Sequence, residues 1–136
     1  MKNKKLKNIV IIGAGGMARA VRWLIEDINR EKKVFHFLGY IVSDLKKVGK
    51  LDSKDSILGD YSWFEENEFS EINAAIGIGN PIFRLKVIKE LSLMEKNISY
   101  PNLIHPSAKF DYNSISLGKS VVICANTILT VNIKLN

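Results

Sequence analysis

Asn8-Ile9-Val10-Ile11-Ile12-Gly13-Ala14-Gly15-Gly16-Met17-Ala18 is the stretch on which the fold turns. Ile9 to Ile12 is an unbroken β-branched run that stops at glycine. Continuous rather than alternating apolar character predicts a strand buried on both faces, as in a parallel sheet. Beyond the glycines, apolar residues return at Ala18, Val21, Leu24, Ile25 and Ile28, the spacing of a helix with one buried face. Lys32-Lys33 close that segment, and Val34 to Val42 predicts a second strand ending at Ser43-Asp44. The opening third is thus a β-turn-α-β unit.

Further along, residues 45–56 are polar, lysine-rich and predicted to be a surface loop, with Ile57-Leu58 a short strand and Tyr61 to Glu66 a helical turn. Ile72 to Ile78 predicts another buried strand. Asn80-Pro81 then supplies an N-cap and a proline at the first helical position, opening a helix whose expected apolar face is Ile82, Leu85, Ile88 and Leu91. Strands and helices alternating at this length predict a doubly wound, Rossmann-like α/β domain. From Leu117 the period changes. Leu117, Ile123, Leu129 and Leu135 are six residues apart, as are Val121, Thr127 and Ile133. Neither a helix nor an ordinary strand has that period; a parallel β-helix does, because each short strand plus corner repeats the inward position. The expected division is residues 1–102 for the Rossmann-like domain and 103–136 for the start of the β-helix.

Composition narrows the classes. With 46% hydrophobic and 25% charged residues in 136, the chain is globular and can bury a core without a disulfide or metal. One cysteine, Cys124, and two histidines cannot supply a four-ligand thiol/imidazole zinc site, so no metal is expected and a reducing cytoplasm fits. The basic N-terminus is followed by too short an apolar run for a secretion signal. No segment reaches the roughly 20 apolar residues of a membrane span. Four lysines precede Asn8, so taking them from the net charge of +6 leaves +2. That places the excess on a short lead-in, and neither a nucleic acid nor a membrane is expected as partner.

Gly13-x-Gly15-x-x-Ala18 follows the first strand and opens the first helix. The first glycine permits a tight turn, the second lets backbone approach a ligand, and the small third position allows close helix–strand packing. N–H groups at the helix start would face a phosphate or another polar group. For NAD, a carboxylate about 20 residues beyond the glycines is usual; Asp44 lies about 30 beyond Gly13, and no second mononucleotide unit follows.

Three motifs in order, Ile11-Ile12-Gly13-Ala14-Gly15-Gly16, Leu38-Gly39-Tyr40-Ile41-Val42-Ser43-Asp44 and Ala75-Ile76-Gly77-Ile78-Gly79-Asn80, precede Asn102-Leu103-Ile104-His105-Pro106-Ser107-Ala108 and the hexads. This order resembles the NeuD/PglD-type sugar acetyltransferases, which act on sialic acid or nucleotide-amino sugars. The resemblance runs from Lys7 to Asn136. It implies a Rossmann-like domain joined to a left-handed β-helix, a homotrimer when full length, acetyl-CoA as donor, and a histidine on a later coil as general base. It implies a role in polysaccharide biosynthesis, with a sugar or nucleotide-sugar amine or hydroxyl accepting the acetyl group. By motif, Gly13, Gly15, Gly16, Asp44, Gly79 and Asn80 would lie near the acceptor.

Departures from the pattern are Met17, where many relatives carry histidine, a seven-residue step from Phe110 to Leu117, and Ile133 at a position usually small. The sequence stops at Asn136, where the family continues for several coils, so no catalytic residue is assigned. His105 belongs to the lead-in, and His36, Trp23, Trp63 and Cys124 are expected to be packing residues. The alternatives are an NAD(P)-binding domain of an oxidoreductase and a non-enzymatic ligand-binding module.

Overall fold

The computed structural model describes residues 4–50, 52 and 54–136. Lys2, counted above in the basic lead-in, lies outside them. Strands β1 (Lys7–Ile12), β2 (Phe35–Ile41), β3 (Ile57–Gly59), β4 (Ile72–Ile76) and β5 (Ile98–Ser99) form one parallel sheet in the order β3-β2-β1-β4-β5. Helices α1 (Gly16–Glu31), α2 (Trp63–Glu66) and α3 (Pro81–Leu91) cover it. Strand alternation divides β1 between two cores. Ile9 and Ile11 pack with Ala18, Val21, Leu24 and Ile25 of α1. Val10 and Ile12 pack on the opposite face with Phe64 of α2 and Val87 and Leu91 of α3. The whole Ile9–Ile12 run is therefore inaccessible to solvent, as its unbroken apolar character requires.

The predicted surface loop at 45–56 contains 3₁₀ turns at Leu45–Lys47 and Lys54–Ser56; its Leu51 and Ser53 lie outside the described residues.

Beyond the sheet the chain enters the start of a left-handed parallel β-helix. Strands β6 (Leu103–Ile104), β7 (Lys109–Phe110) and β8 (Ser116–Leu117) make the three sides of a first coil. Strands β9 (Val122–Ile123), β10 (Ile128–Leu129) and β11 (Lys134–Leu135) stack on them in parallel, side by side. The extra residue between Phe110 and Leu117 sits in a corner closed by Ser114 and Ile115 N–H groups on the Asp111 carbonyl. Corners of the second coil fall at Ser120, Asn126 and Asn132, all left-handed with φ of 57–59°, a conformation in which Asn is enriched among non-glycine residues. Side chains of the first coil hold these corners: Ser107 Oγ accepts from Asn126 N at 2.9 Å, and Ser114 Oγ from Asn132 N at 3.0 Å.

Four expectations of packing need correction. On α3, Ile82 and Leu85 are 74% and 67% exposed, and Ile88 is only partly covered; of the expected face Leu91 is buried, and Val87 joins it against the core. Two apolar stripes overlap in this helix, and the short link from β4 rotates the 87/91 stripe onto the sheet. His36 is exposed, because alternation places it opposite buried Phe35. Its ring nitrogen lies 3.2 Å from Asn8 Oδ1. Trp23 is 56% exposed on the outer side of α1. Cys124 is also exposed, since it follows inward Ile123 at a coil corner. Trp63, by contrast, does pack against the core of its face.

Helix α1 lies so close to β4 that a Cβ added at Gly77 would stand 2.6 Å from Ala18 Cα and 2.8 Å from its Cβ. The backbone must move to admit a methyl group there. Gly77→Ala is expected to lower the unfolding free energy by about 1–3 kcal/mol, the usual range for overpacking. A urea titration measures it; an unchanged midpoint would show that α1 can shift without loss.

Candidate functional site

The site is set by topology. Strand β1 leads into α1 on one face of the sheet, while neighbouring β4 leads into α3 on the other. The chain therefore diverges at the carboxyl ends of β1 and β4, where open α/β sheets place their ligands. Gly13 N donates to Ile41 O at 2.7 Å and Gly77 N to Ile12 O at 2.8 Å. These bonds carry the ladder one step past the strands and align the two glycine segments across a crevice.

The glycines at this edge fall into two groups. Gly13 has φ +102°, and a Cβ there would meet the Gly77 carbonyl oxygen at 2.8 Å; with Gly77, it is demanded by the fold. Gly15, Gly16 and Gly79 are not. The nearest atom to a Cβ at Gly15 is Asp52 Oδ1 at 3.7 Å, at Gly16 it is Arg19 at 3.9 Å, and at Gly79 nothing stands within 4 Å. Around these three, no other part of the protein comes closer than 3.7 Å to where a Cβ would stand. The start of α1 is also without a side-chain cap, since its N-cap is Gly15 and its first turn holds no carboxylate. Such an end presents unsatisfied N–H groups and the positive pole of the helix dipole.

Asp44 and Asn80 reach the same edge in other roles. Asp44 Oδ1 accepts from Lys46 N at 2.9 Å, capping a 3₁₀ turn, and its Oδ2 lies 3.7 Å from Lys47 Nζ. Asn80 Oδ1 accepts from Ile82 N and Phe83 N at 2.9 and 3.2 Å. The N-terminus of α3 is thus closed by its own cap, unlike that of α1. Asp52, which sequence reading did not single out, accepts from Gly49 N and pairs with Arg19 at 3.9 Å beside Gly15. A carboxylate there suits a ribose hydroxyl or a base N–H better than a phosphate.

Next to the glycines, a groove of about 680 Å³ runs from Met17 along α3 to the β-helix. Its apolar lining includes Met17, Leu85 and Ile88, and its cations are Arg84, Lys119 and Lys134. No Asp or Glu side chain lines it among the described residues. Arg84 donates to Ile76 O and Ser120 O, both at 3.2 Å, tying the end of β4 to the corner that leads into the second coil while its charge stays unpaired by any described acid. A cation in the first turns of a helix opposes the dipole; that misplaced charge was the available signal for Arg84.

A second cluster joins the two parts of the chain. His105 Nδ1 accepts from Ser107 N at 3.0 Å, which puts the ring proton on Nε2, facing Asp27 Oδ2 at 3.0 Å. Asp27 also pairs with Arg30. Asp27 and Ser107 therefore flank His105, a constellation that spacing along the sequence hid. Ser107 Oγ lies 2.7 Å from Nδ1 but accepts from Asn126 N as well. The arrangement braces the lead-in coil against α1. Among the described residues, no group of three or more His, Cys, Asp or Glu side chains is placed to hold a metal ion. No described helix is long and apolar enough to cross a membrane.

Residues 8–91 match the family described as PglD N-terminal domain. No curated protein matches by sequence. Among solved structures, perosamine N-acetyltransferase from Caulobacter crescentus, in complex with CoA and GDP-perosamine, is similar with a TM-score of 0.69 and 22% identity, covering 96% of this chain and 57% of that one. The acetyltransferase domain of PglB from Neisseria gonorrhoeae FA1090, in complex with acetyl coenzyme A, gives 0.61 and 17%, covering 97% and 62%. The shared property is the fold, and this chain spans a little over half the length of these neighbours.

Removing either partner of the His105–Asp27 pair, both 15% exposed, leaves a polar group with little access to water. His105→Ala and Asp27→Ala are each expected to cost about 1–3 kcal/mol of stability. The double variant should lose clearly less than the two together. Urea unfolding of the four proteins measures this, and strictly additive losses would show that the two side chains do not act as a pair.

Proposed function

Because the chain belongs to the PglD N-terminal domain family, we propose that its β1/β4 crevice binds the nucleotide-sugar acceptor of an acetyl transfer for which acetyl-CoA is donor. The observation that carries this reading is the uncapped start of α1 at Gly15 and Gly16, at the carboxyl ends of β1 and β4, where no other group comes within 3.7 Å of a Cβ at Gly15, Gly16 or Gly79. The α1 N–H groups and the unpaired charge of Arg84 suit a diphosphate. Asp52 suits a ribose or base. The groove beyond Met17 then receives the sugar and directs it to the β-helix, and its size is that of an ordinary small-molecule site.

In this reading residues 1–102 are the acceptor-binding domain and 103–136 begin the β-helix. Gly13 shapes the loop, while Asp44 and Asn80 set the rims of the crevice through the turns they cap. The complete enzyme works as a cytoplasmic homotrimer. An amino sugar, as in the GDP-perosamine bound by the Caulobacter neighbour, is favoured over sialic acid, since an uncapped helix start and three groove cations suit a diphosphate better than a single carboxylate. Its amine nitrogen attacks the thioester carbonyl, CoA leaves as thiol, and a base takes the amine proton. Neither histidine supplies that base: His105 is engaged at both nitrogens and His36 lies at the far end of the sheet.

Calorimetry with UDP, GDP, a nucleotide-amino sugar and NADH tests the acceptor site. Nucleoside diphosphates should bind, even if only near millimolar, about 4 kcal/mol, and more tightly than NADH. Gly15→Val should abolish binding while leaving the fold intact, since little of the protein stands near that position. Tight NADH binding without response to either diphosphate would replace this reading with the oxidoreductase one.

The 136-residue chain itself should release CoA from acetyl-CoA no faster than buffer does in the presence of the amino sugar. Turnover abolished by His105→Ala would assign that histidine as the base and overturn its bracing role.

A further inference from the structure

The lysines of the lead-in do not stand apart from the fold. Lys7 N donates to Val34 O at 2.9 Å, which brings the start of β1 against the α1–β2 turn. Lys4, Lys5 and Lys7 thereby share one depression with Lys32 and Lys33. An adjoining depression contains Lys5 and Lys7 again, now with Leu6 and Phe69, and with Glu71 on its rim. Leu6 and Phe69 are 37% and 36% exposed. Among the described residues none of the five lysines forms an ion pair. Sequence reading treated this charge as a solvated lead-in; the fold gathers it onto one end of the domain, at the amino ends of the strands and opposite the crevice.

We propose that this lysine-rich end, with Leu6 and Phe69 exposed beside it, docks the protein on an anionic phospholipid surface. The chemistry is that of a peripheral anchor. Clustered lysines are drawn to the negative surface potential of anionic lipids, each giving about a fivefold gain in partitioning. Apolar side chains among them enter the headgroup boundary. Glu71, and Glu31 beside Lys32, reduce but do not cancel the five positive charges. A nucleic acid is a poorer fit. The patch has no arginine for bidentate phosphate contact, and Phe69, its only aromatic ring, leans on Trp63 with centroids 6.3 Å apart rather than standing free to stack on a base. Docked in this way, the protein would hold its β1/β4 crevice away from the lipid and open to solution.

Flotation of the full chain with phosphatidylcholine vesicles, and with vesicles containing phosphatidylglycerol in equal part, tests the proposal. Binding is expected only to the anionic vesicles, and to weaken as salt rises. K5E/K32E/K33E should lower the partition coefficient by about a hundredfold or more. Leu6→Ser with Phe69→Ser should weaken binding further at salt concentrations where charge is screened. The three lysines are on the surface and far from the crevice, so thermal melts and nucleoside-diphosphate titration of K5E/K32E/K33E should match those of the parent, which keeps this test separate from that of the acceptor site. Absence of flotation, equal binding to neutral vesicles, or indifference to the charge reversal would overturn the proposal. So would duplex DNA or RNA displacing the protein from vesicles at matched phosphate concentration, which would assign the patch to nucleic acid.

Discussion

The approach of α1 to the sheet at Ala18 and Gly77 is the constraint on which the other features depend. Neither residue has a side chain beyond Cβ, so helix and strand meet backbone to backbone. A larger residue at either place would push the start of α1 outward. Its N-terminus would then no longer stand at the divergence of β1 and β4, and the crevice would lose the wall that carries Gly15 and Gly16. Gly13 serves the same contact from the other side, because only a residue tolerant of φ +102° can turn the chain from Ile12 into the helix over the Gly77 carbonyl. The site is thus a consequence of packing before it is a matter of ligand chemistry.

The β-helix grows from that same packing. A first coil has no layer beneath it, and exposed repeat ends are unstable without one. Here α1 provides the layer. Leu103 is fully buried in the core that contains Ile9, Ala18 and Leu24, His105 is held by Asp27, and Arg84 reaches the Ser120 carbonyl from the other helix. The change from sheet to coil near residue 102 is a change in backbone period, and one hydrophobic core runs across it. The apolar side chains toward the far end of the second coil, Leu129, Ile133 and Leu135, are only partly covered; the stack is strongest where it meets the helix.

Features written in local periodicity were legible in the sequence. The unbroken Ile9–Ile12 run gave the central strand, the 3.6-residue stripe gave α1, and the six-residue period gave the coils, down to the inserted residue after Phe110. What escaped depended on rotation or on distance along the chain. Two stripes on α3 both satisfy helical spacing, and only the link from β4 decides that Val87 and Leu91 turn inward. His36 and Trp23 look like core residues by type, yet each stands on the uncovered side of its element. Asp27 and His105 are 78 residues apart, and no spacing rule couples a helix carboxylate to a coil lead-in. Asp52 and Arg84 owe their place beside the glycines to loops and crossovers that periodicity does not encode.

The candidate site residues were legible as a motif, but the motif joins positions held by different forces. Gly13 and Gly77 are needed for the chain to close on itself, and any ligand-free protein of this fold would need them. At Gly15 and Gly16 a methyl group would make only ordinary van der Waals contacts, and at Gly79 it would meet nothing within 4 Å, so alanine would fit at all three. At Gly16, inside α1, alanine would stabilise the helix by up to about 1 kcal/mol. Nothing within the described chain offsets that loss. An exposed backbone and a bare helix start both reduce the stability of an isolated domain, and both stand at the carboxyl ends of β1 and β4, next to the groove that Arg84 lines. Such a concentration of unmet polar groups is what a bound anion relieves, so the energetic weak point of the fold and its candidate binding site coincide.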